Sequence, residues 1–294
     1  MFFNYIKLLR VDHWFKNLFI IAGIISAILF IQSKFTGPQV VVQTIGAFIL
    51  ASLISSVNYI VNQIADVAFD KRHPDKKTRP IPSGKISIFR AEILAIILLL
   101  GSLIIANVFY NANFFYVLLS LWIAGILYNI RPIRLKNIPY IDVISESFNN
   151  PVRFLIGWFV VVKSEFPSVL ILLATWSIGA VLMTAKRYDE LKFYGKKLVP
   201  YRNTFNTYSL ESLLIMMYFY IALSTIFITS EIYKYQRSFL IGIPFMLLFL
   251  LWIVEKVKSG EAKTRNVESF IFSYRFILYS FILLLFFVFL YLYS

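Results

Sequence analysis

The sequence predicts an all-α, polytopic membrane bundle of about nine spanning helices: apolar runs of span length recur along it, and it is too apolar for water. Of its 294 residues 59% are hydrophobic, only 15% are charged and 30 are Phe, and the mean hydropathy is +0.75. A hydrocarbon core about 30 Å thick asks for roughly 17 to 25 residues per helix. A lipid-facing barrel is disfavoured, because its strands are about ten residues of alternating character rather than continuous apolar runs. With no cysteine, a disulfide framework and a thiolate metal site are both excluded.

The spans fall at about 18–34, 40–62, 91–109, 112–130, 141–162, 168–185, 210–230, 237–255 and 270–292. Lys7, Arg10 and Lys16 precede the first run. It lacks a small-residue cleavage pattern and further spans follow, so it reads as a retained helix rather than a signal peptide. An odd number of spans puts the termini on opposite sides. Alternate connections then hold most of the basic residues: the N-terminal segment, 71–90, 131–136, 186–202 and 256–265. The other side has Lys34, Lys163, Lys234 and Arg237, while Arg153 and Arg275 fall inside spans. The positive-inside rule makes the basic side cytoplasmic. The expected location is a bacterial or archaeal cell membrane, with the N-terminus and active site cytoplasmic. The formal charge of +14 is explained by topology and anionic lipid, so nucleic acid is not expected as a partner. No linker divides the chain, and residues 1–294 read as one membrane-embedded domain; its two long basic loops hint at a weak duplication.

The end of the second span carries the most informative chemistry. Asn62, Asp66 and Asp70 stand four residues apart, which lines three oxygen-bearing side chains along one helix face. Hard oxygen ligands from one or two carboxylates, completed by substrate phosphates and water, are how Mg²⁺ is usually held. Lys71, Arg72, Lys76, Lys77 and Arg79 follow directly, and cations beside such a site neutralise a diphosphate. Ordinary helix-end charges do not usually align at this spacing.

The stripe resembles the N-D-x-x-D-x-x-x-D motif of the UbiA superfamily of intramembrane prenyltransferases, with Gln63 in place of its first Asp. His73, Pro74 and the run from Arg79 to Gly84 continue the resemblance, as does the nine-helix count. The resemblance implies that the carboxylates hold Mg²⁺ and, through it, a prenyl diphosphate, with Asp66 and Asp70 as ligands. A second match, Tyr128, Arg131, Arg134 and Lys136, is similar to the tyrosine and basic loop that contact the diphosphate in that family.

In the fifth span Asp142, Glu146, Asn149 or Asn150, and Arg153 share a helix face. Such a row should face the bundle interior or a wet cavity, and it reads as a wall of the substrate cavity; an internal ion pair is the alternative. Pro151 lacks a backbone donor and is placed to kink the helix. At the end of the sixth span most family members carry a second aspartate motif. This chain has Lys186, Arg187, Tyr188, Asp189 and Glu190 instead, with Asp189 or Glu190 as further metal ligands. That segment, with Trp14, Phe15, Lys16 and Asn17 before the first helix, resembles decaprenyl-phosphate phosphoribosyltransferases. There the diphosphate belongs to phosphoribosyl diphosphate and the prenyl chain is the acceptor. The loop from Arg131 to Lys136 and the Ser145, Glu146, Ser147 segment look more like prenyltransferases. His13 reads as interfacial beside Trp14.

The leading expectation is Mg²⁺-dependent transfer of a polyprenyl group from a prenyl diphosphate to a lipophilic or aromatic acceptor. Phosphoribosyl transfer to a polyprenyl phosphate is the alternative. Asp66, Asp70, Lys136, Lys186 and Arg187 carry the chemistry, and the isoprenoid tail lies along apolar walls open to the bilayer. A secondary transporter is the alternative of another class; its charges would sit near the bilayer midplane, whereas these cluster at one face.

Overall fold

The computed structural model describes residues 2–31, 37–73, 75–200, 202–235, 237–261 and 273–292. Lys34, Pro74, Lys263, Arg265 and the ends of the first and ninth expected spans lie outside the described residues. Those described form helices and turns, without a strand. They divide into two compact units, Met1–Pro167 and Ser168–Ser294.

In the first unit, α1 (Phe2–Leu9) leads through a 3₁₀ segment, Val11–Leu18, into α2 (Phe19–Ile31). Then come α3 (Pro38–Ala65), a single turn α4 (Val67–Asp70), α5 (Ile88–Phe109), α6 (Ala112–Asn129), α7 (Ile141–Ser147) and α8 (Asn149–Val161). Helix α3 is the hub and packs on α1, α5, α6 and α8. Pro38 opens it, at a position whose N–H has no intrahelical partner to lose. Its inner end joins Leu8, Val57, Ile60, Ile81, Ile86, Ala91 and Ala95 in one apolar cluster. Ser87 and Asn111 cap α5 and α6, each accepting from the backbone three residues on. Along α5, Ile97, Leu100, Ile104 and Val108 are exposed, as a lipid-facing stripe should be.

Helices α2 and α8 meet backbone to backbone. A Cβ on Gly23 would fall 2.0 Å from the Phe154 carbonyl oxygen, and one on Gly157 1.9 Å from that of Ile20. Small residues at such a crossing let two membrane helices approach closely.

In the second unit, α9 (Val169–Tyr194) packs along α11 (Leu210–Tyr235). Between them lies the single turn α10 (Thr204–Thr207). The α9 face buries Ser177, Gly179, Ala180 and Thr184; the Ser177 and Thr184 hydroxyls donate to carbonyls of their own helix, so neither is left bare in an apolar interior. Helix α12 (Ile243–Ser259) stops at Gly260, whose φ of 84° is left-handed. Its Phe249 and Trp252 stack with Tyr279 of α13 (Tyr274–Leu292).

Seven helices are long and apolar enough to cross a membrane among the described residues. The difference from about nine lies in two places. The first is the expected span 141–162, which divides at Phe148 into α7 and α8. Pro151 has no N–H to offer the Ser147 carbonyl, and the thirteen residues of α8 fall short of a full crossing. The second is the ninth run, described as a shorter apolar helix over Tyr274–Leu290. The first crossing begins earlier than expected, at Phe3.

Candidate active site

The site is built where α3 ends. The Asp66 N–H donates to the Asn62 carbonyl at 3.0 Å and the Asp70 N–H to that of Asp66 at 2.8 Å. The helical ladder therefore runs through the change from α3 to α4. Asn62, Asp66 and Asp70 stay stacked even though Asp66 leaves ideal helix geometry, at φ −105°.

The loop after α6 returns to this stripe. It passes a cis Arg131–Pro132 bond and places Arg134 in the left-handed region at φ 38°, which costs a non-glycine residue roughly 1–2 kcal/mol. The surroundings hold it there. Arg134 Nη2 donates to Asp66 Oδ1 at 2.6 Å, and its guanidinium lies over the Phe69 ring, 5.5 Å from the centroid. Lys136 Nζ donates to Asp66 Oδ2 at 2.7 Å, to Asn62 Oδ1 at 2.9 Å and to Asn129 Oδ1 at 3.1 Å. Asn129 is itself fixed, giving its amide hydrogen to the Gly125 carbonyl. Next along the stripe, Asp70 accepts from Arg79 Nη1 at 2.8 Å.

Charge follows from this geometry. Two cations meet the one carboxylate of Asp66, and Arg134 Nε is a buried donor with no acceptor. The cluster is therefore cationic and keeps a directed N–H in reserve, a fitting environment for an anion in low dielectric. His73 is buried beside it and accepts at Nδ1 from the Asp75 and Lys76 backbone N–H groups. Burial, then the Lys76 charge, push its pKa below the ordinary histidine value, so the ring stays neutral and orders the loop as an acceptor.

Of the expected residues of the first unit, Asn62, Asp66, Asp70, Arg79, Arg134 and Lys136 converge, and the others lie elsewhere. Arg134 and Lys136 reach the stripe, while Lys71, Arg72 and Arg131 are exposed. Tyr128 and Lys16 are half-buried. Asp142 is fully buried at the start of α7. Arg153 is buried as expected, but its two hydrogen bonds run to Asn17 and Asn150, and Asn149 donates to the Glu146 carbonyl. Lys186, Arg187, Tyr188, Asp189 and Glu190 belong to the second unit. There Arg187 is fully buried and pairs with Glu190 at 2.7 Å, and Tyr188 and Asp189 are buried.

Sequence reasoning missed Asn129, although a polar residue in the last turn of a span, two positions before a basic loop, was a readable signal. It also missed Ser52 and Ser56, which accept from Asn17 and Trp14. A serine inside an apolar helix gives no hint of its partner.

Among the described residues no three His, Asp or Glu side chains gather as a ready-made metal cage. The two carboxylates and the amide oxygen stacked on one face are donor types a hard cation takes, but both Asp66 oxygens, Asn62 Oδ1 and Asp70 Oδ2 accept from Arg134, Lys136 and Arg79 here, so a cation would have to share or displace those donors.

An all-helical membrane fold carries this ionic cluster at the end of its central helix, and family membership makes the class an intramembrane transferase. The chain belongs to the UbiA prenyltransferase family, whose model matches residues 18–276 and so runs through both units. It is similar to the decaprenyl-phosphate phosphoribosyltransferase of Mycolicibacterium smegmatis, 27% identical over 69% of this chain and 62% of the relative. The chain thus spans less than two thirds of that relative's length. The decaprenyl-phosphate phosphoribosyltransferase of Mycobacterium tuberculosis is 24% identical over 87% of this chain and 84% of the relative. Among solved structures, a UbiA homologue from Archaeoglobus fulgidus bound to GPP and Mg²⁺ shares the fold, with a TM-score of 0.70 over 98% of each chain at 20% identity.

Proposed function

We propose that this protein transfers a phosphoribosyl group from phosphoribosyl diphosphate to a polyprenyl phosphate in the membrane, with the cluster around Asp66 receiving the donor's diphosphate. The observation that carries the diphosphate assignment is the geometry of Asp66, Arg134 and Lys136: a cationic, half-dry cradle whose members come from two elements. The phosphoribosyl donor is favoured over a prenyl diphosphate by two features. The second aspartate motif is replaced by the Arg187–Glu190 pair, and similarity to phosphoribosyltransferases extends along most of the chain.

In this reading an oxygen of the lipid phosphate attacks the anomeric carbon of the ribose. The new C–O bond forms as the C–O bond to diphosphate breaks, and diphosphate leaves with the electron pair. Lys136, Arg134 and Arg79 turn donors towards its oxygens and stabilise the charge as it develops. A divalent cation held by Asp66, Asp70 and Asn62 would neutralise the same group. Asn129 holds Lys136 in place, and Phe69 the Arg134 guanidinium. The basic loops point to a cytoplasmic site.

Prenyl transfer from a prenyl diphosphate is the second reading, favoured by the stripe and the Arg131 to Lys136 loop, which are similar to that branch. One assay separates the two. Purified protein in lipid nanodiscs with Mg²⁺ is offered either phosphoribosyl diphosphate with a polyprenyl phosphate, or a polyprenyl diphosphate with a lipophilic phenol, and pyrophosphate release is followed. Release from the first pair alone, lost in Asp70→Asn, is expected. Release only from the second would overturn the phosphoribosyl assignment.

A further inference from the structure

Arg153 is a second buried cation of the first unit, and its company differs from that of the others. Its side chain is 7% exposed. Nε donates to Asn17 Oδ1 at 2.8 Å and Nη1 to Asn150 Oδ1 at 3.4 Å; both acceptors are neutral amides. Arg134 and Lys136 pair with Asp66, and Arg79 with Asp70. Among the described residues no carboxylate lies within ion-pair distance of Arg153. A guanidinium has five N–H donors, so most of its hydrogen-bonding capacity is unused by Asn17 and Asn150, and its charge has only the more distant Glu146 to offset it.

The surroundings fix it rigidly. Asn17, in the 3₁₀ segment that leads into α2, donates to Ser52 Oγ of α3 at 2.9 Å, and the glycine crossing holds α2 against α8, which carries Arg153. Asn149 Oδ1, beside it in the first turn of α8, is buried without a partner. Tyr59 and Glu146 stand within electrostatic reach of the guanidinium. Tyr59 precedes Asn62 by three residues, about 5 Å along the helix axis. Arg153 therefore stands inward of the diphosphate cradle, at the break between α7 and α8.

A neutral side chain would pin Asn17 as well, without the cost of burying a charge. We propose that Arg153, positioned by Asn17 and Asn150, is the anion station for the acceptor substrate: it takes the phosphate or carboxylate head of the lipid or aromatic molecule that receives the transferred group. The identification of that anion as the acceptor rests on the transfer reading above.

The test compares wild type, Arg153→Gln and Arg153→Lys in phosphatidylcholine nanodiscs. Binding of a polyprenyl phosphate, the matching uncharged polyprenol and a hydroxybenzoate is measured without donor or Mg²⁺, then KM for donor and acceptor separately. Wild type should bind one anion in preference to the polyprenol. The Gln variant should bind it roughly a hundredfold more weakly and raise the acceptor KM alike, while donor KM holds and Lys recovers part of the loss. Which anion binds distinguishes a lipid phosphate from an aromatic carboxylate. Equal binding of phosphate and polyprenol, binding of neither anion, or donor and acceptor KM moving together in Gln and Lys alike would overturn the proposal. Arg153-dependent anion binding with no transfer would instead count against the transfer reading alone.

Discussion

Two ionic groupings at helix ends, around Asp66 and around Arg187, use the same chemistry with different reach. Asp66 draws Arg134 and Lys136 from 68 and 70 residues away. Arg187 meets Glu190 three residues along its own helix. The first is a tertiary lock that places a loop; the second pair holds within one helix. A long-range pair loses more when broken, because the loop it anchors is lost with it, whereas the cations left behind are buried in both groupings.

The largest effect expected is for Asp66→Asn, which keeps the side-chain shape and removes the charge between two buried cations. Stability should fall by about 3–5 kcal/mol, read as a lower melting midpoint in detergent, and transfer by roughly a thousandfold. Next is Gly157→Ala, whose new methyl would meet the Ile20 carbonyl oxygen at 1.9 Å. Backbone cannot yield as a side-chain tip can, so about 1–3 kcal/mol of stability should be lost. Acceptor KM should rise more than donor KM, since this crossing holds α2, which follows Asn17, against α8, which carries Arg153. The smallest is Glu190→Gln. The buried Arg187 loses a charge partner but α9 keeps its backbone ladder and no loop is released, so about 1–2 kcal/mol is expected from the melting midpoint. Were Glu190→Gln as costly as Asp66→Asn, the distinction between lock and local pair would collapse.

The same distinction marks what the sequence could tell. The Asn62, Asp66, Asp70 stripe was legible because its spacing is local, and the helix periodicity alone aligns it. Its cations were only half legible. Arg131 and Arg134 look alike in the basic loop, and only the left-handed turn at Arg134 decides which one reaches Asp66. Lys71 and Arg72 adjoin the stripe in sequence but are exposed, since adjacency to Asp70 does not fix where a side chain points. The break at Phe148 was foreshadowed by Pro151 and by the charged row. Helix α1 was not, being short and ahead of the first fully apolar run. Arg153 was recognised as interior, but its bond to Asn17, 136 residues away, follows from the Gly23 and Gly157 contact, which leaves no trace in hydropathy.

The carboxylate that holds Arg134 and Lys136 also bears on turnover. On the proposed chemistry, diphosphate remaining after transfer competes for these cations with Asp66, a resident rival held at a fixed effective concentration. Each time product loosens, Asp66 can recapture the cations, so the leaving group departs without uncovering bare charges. Release is a common rate limit in enzymes. An internal competitor of this kind should keep inhibition by accumulated pyrophosphate weak, and Asp66 would thus govern how readily the protein begins its next cycle.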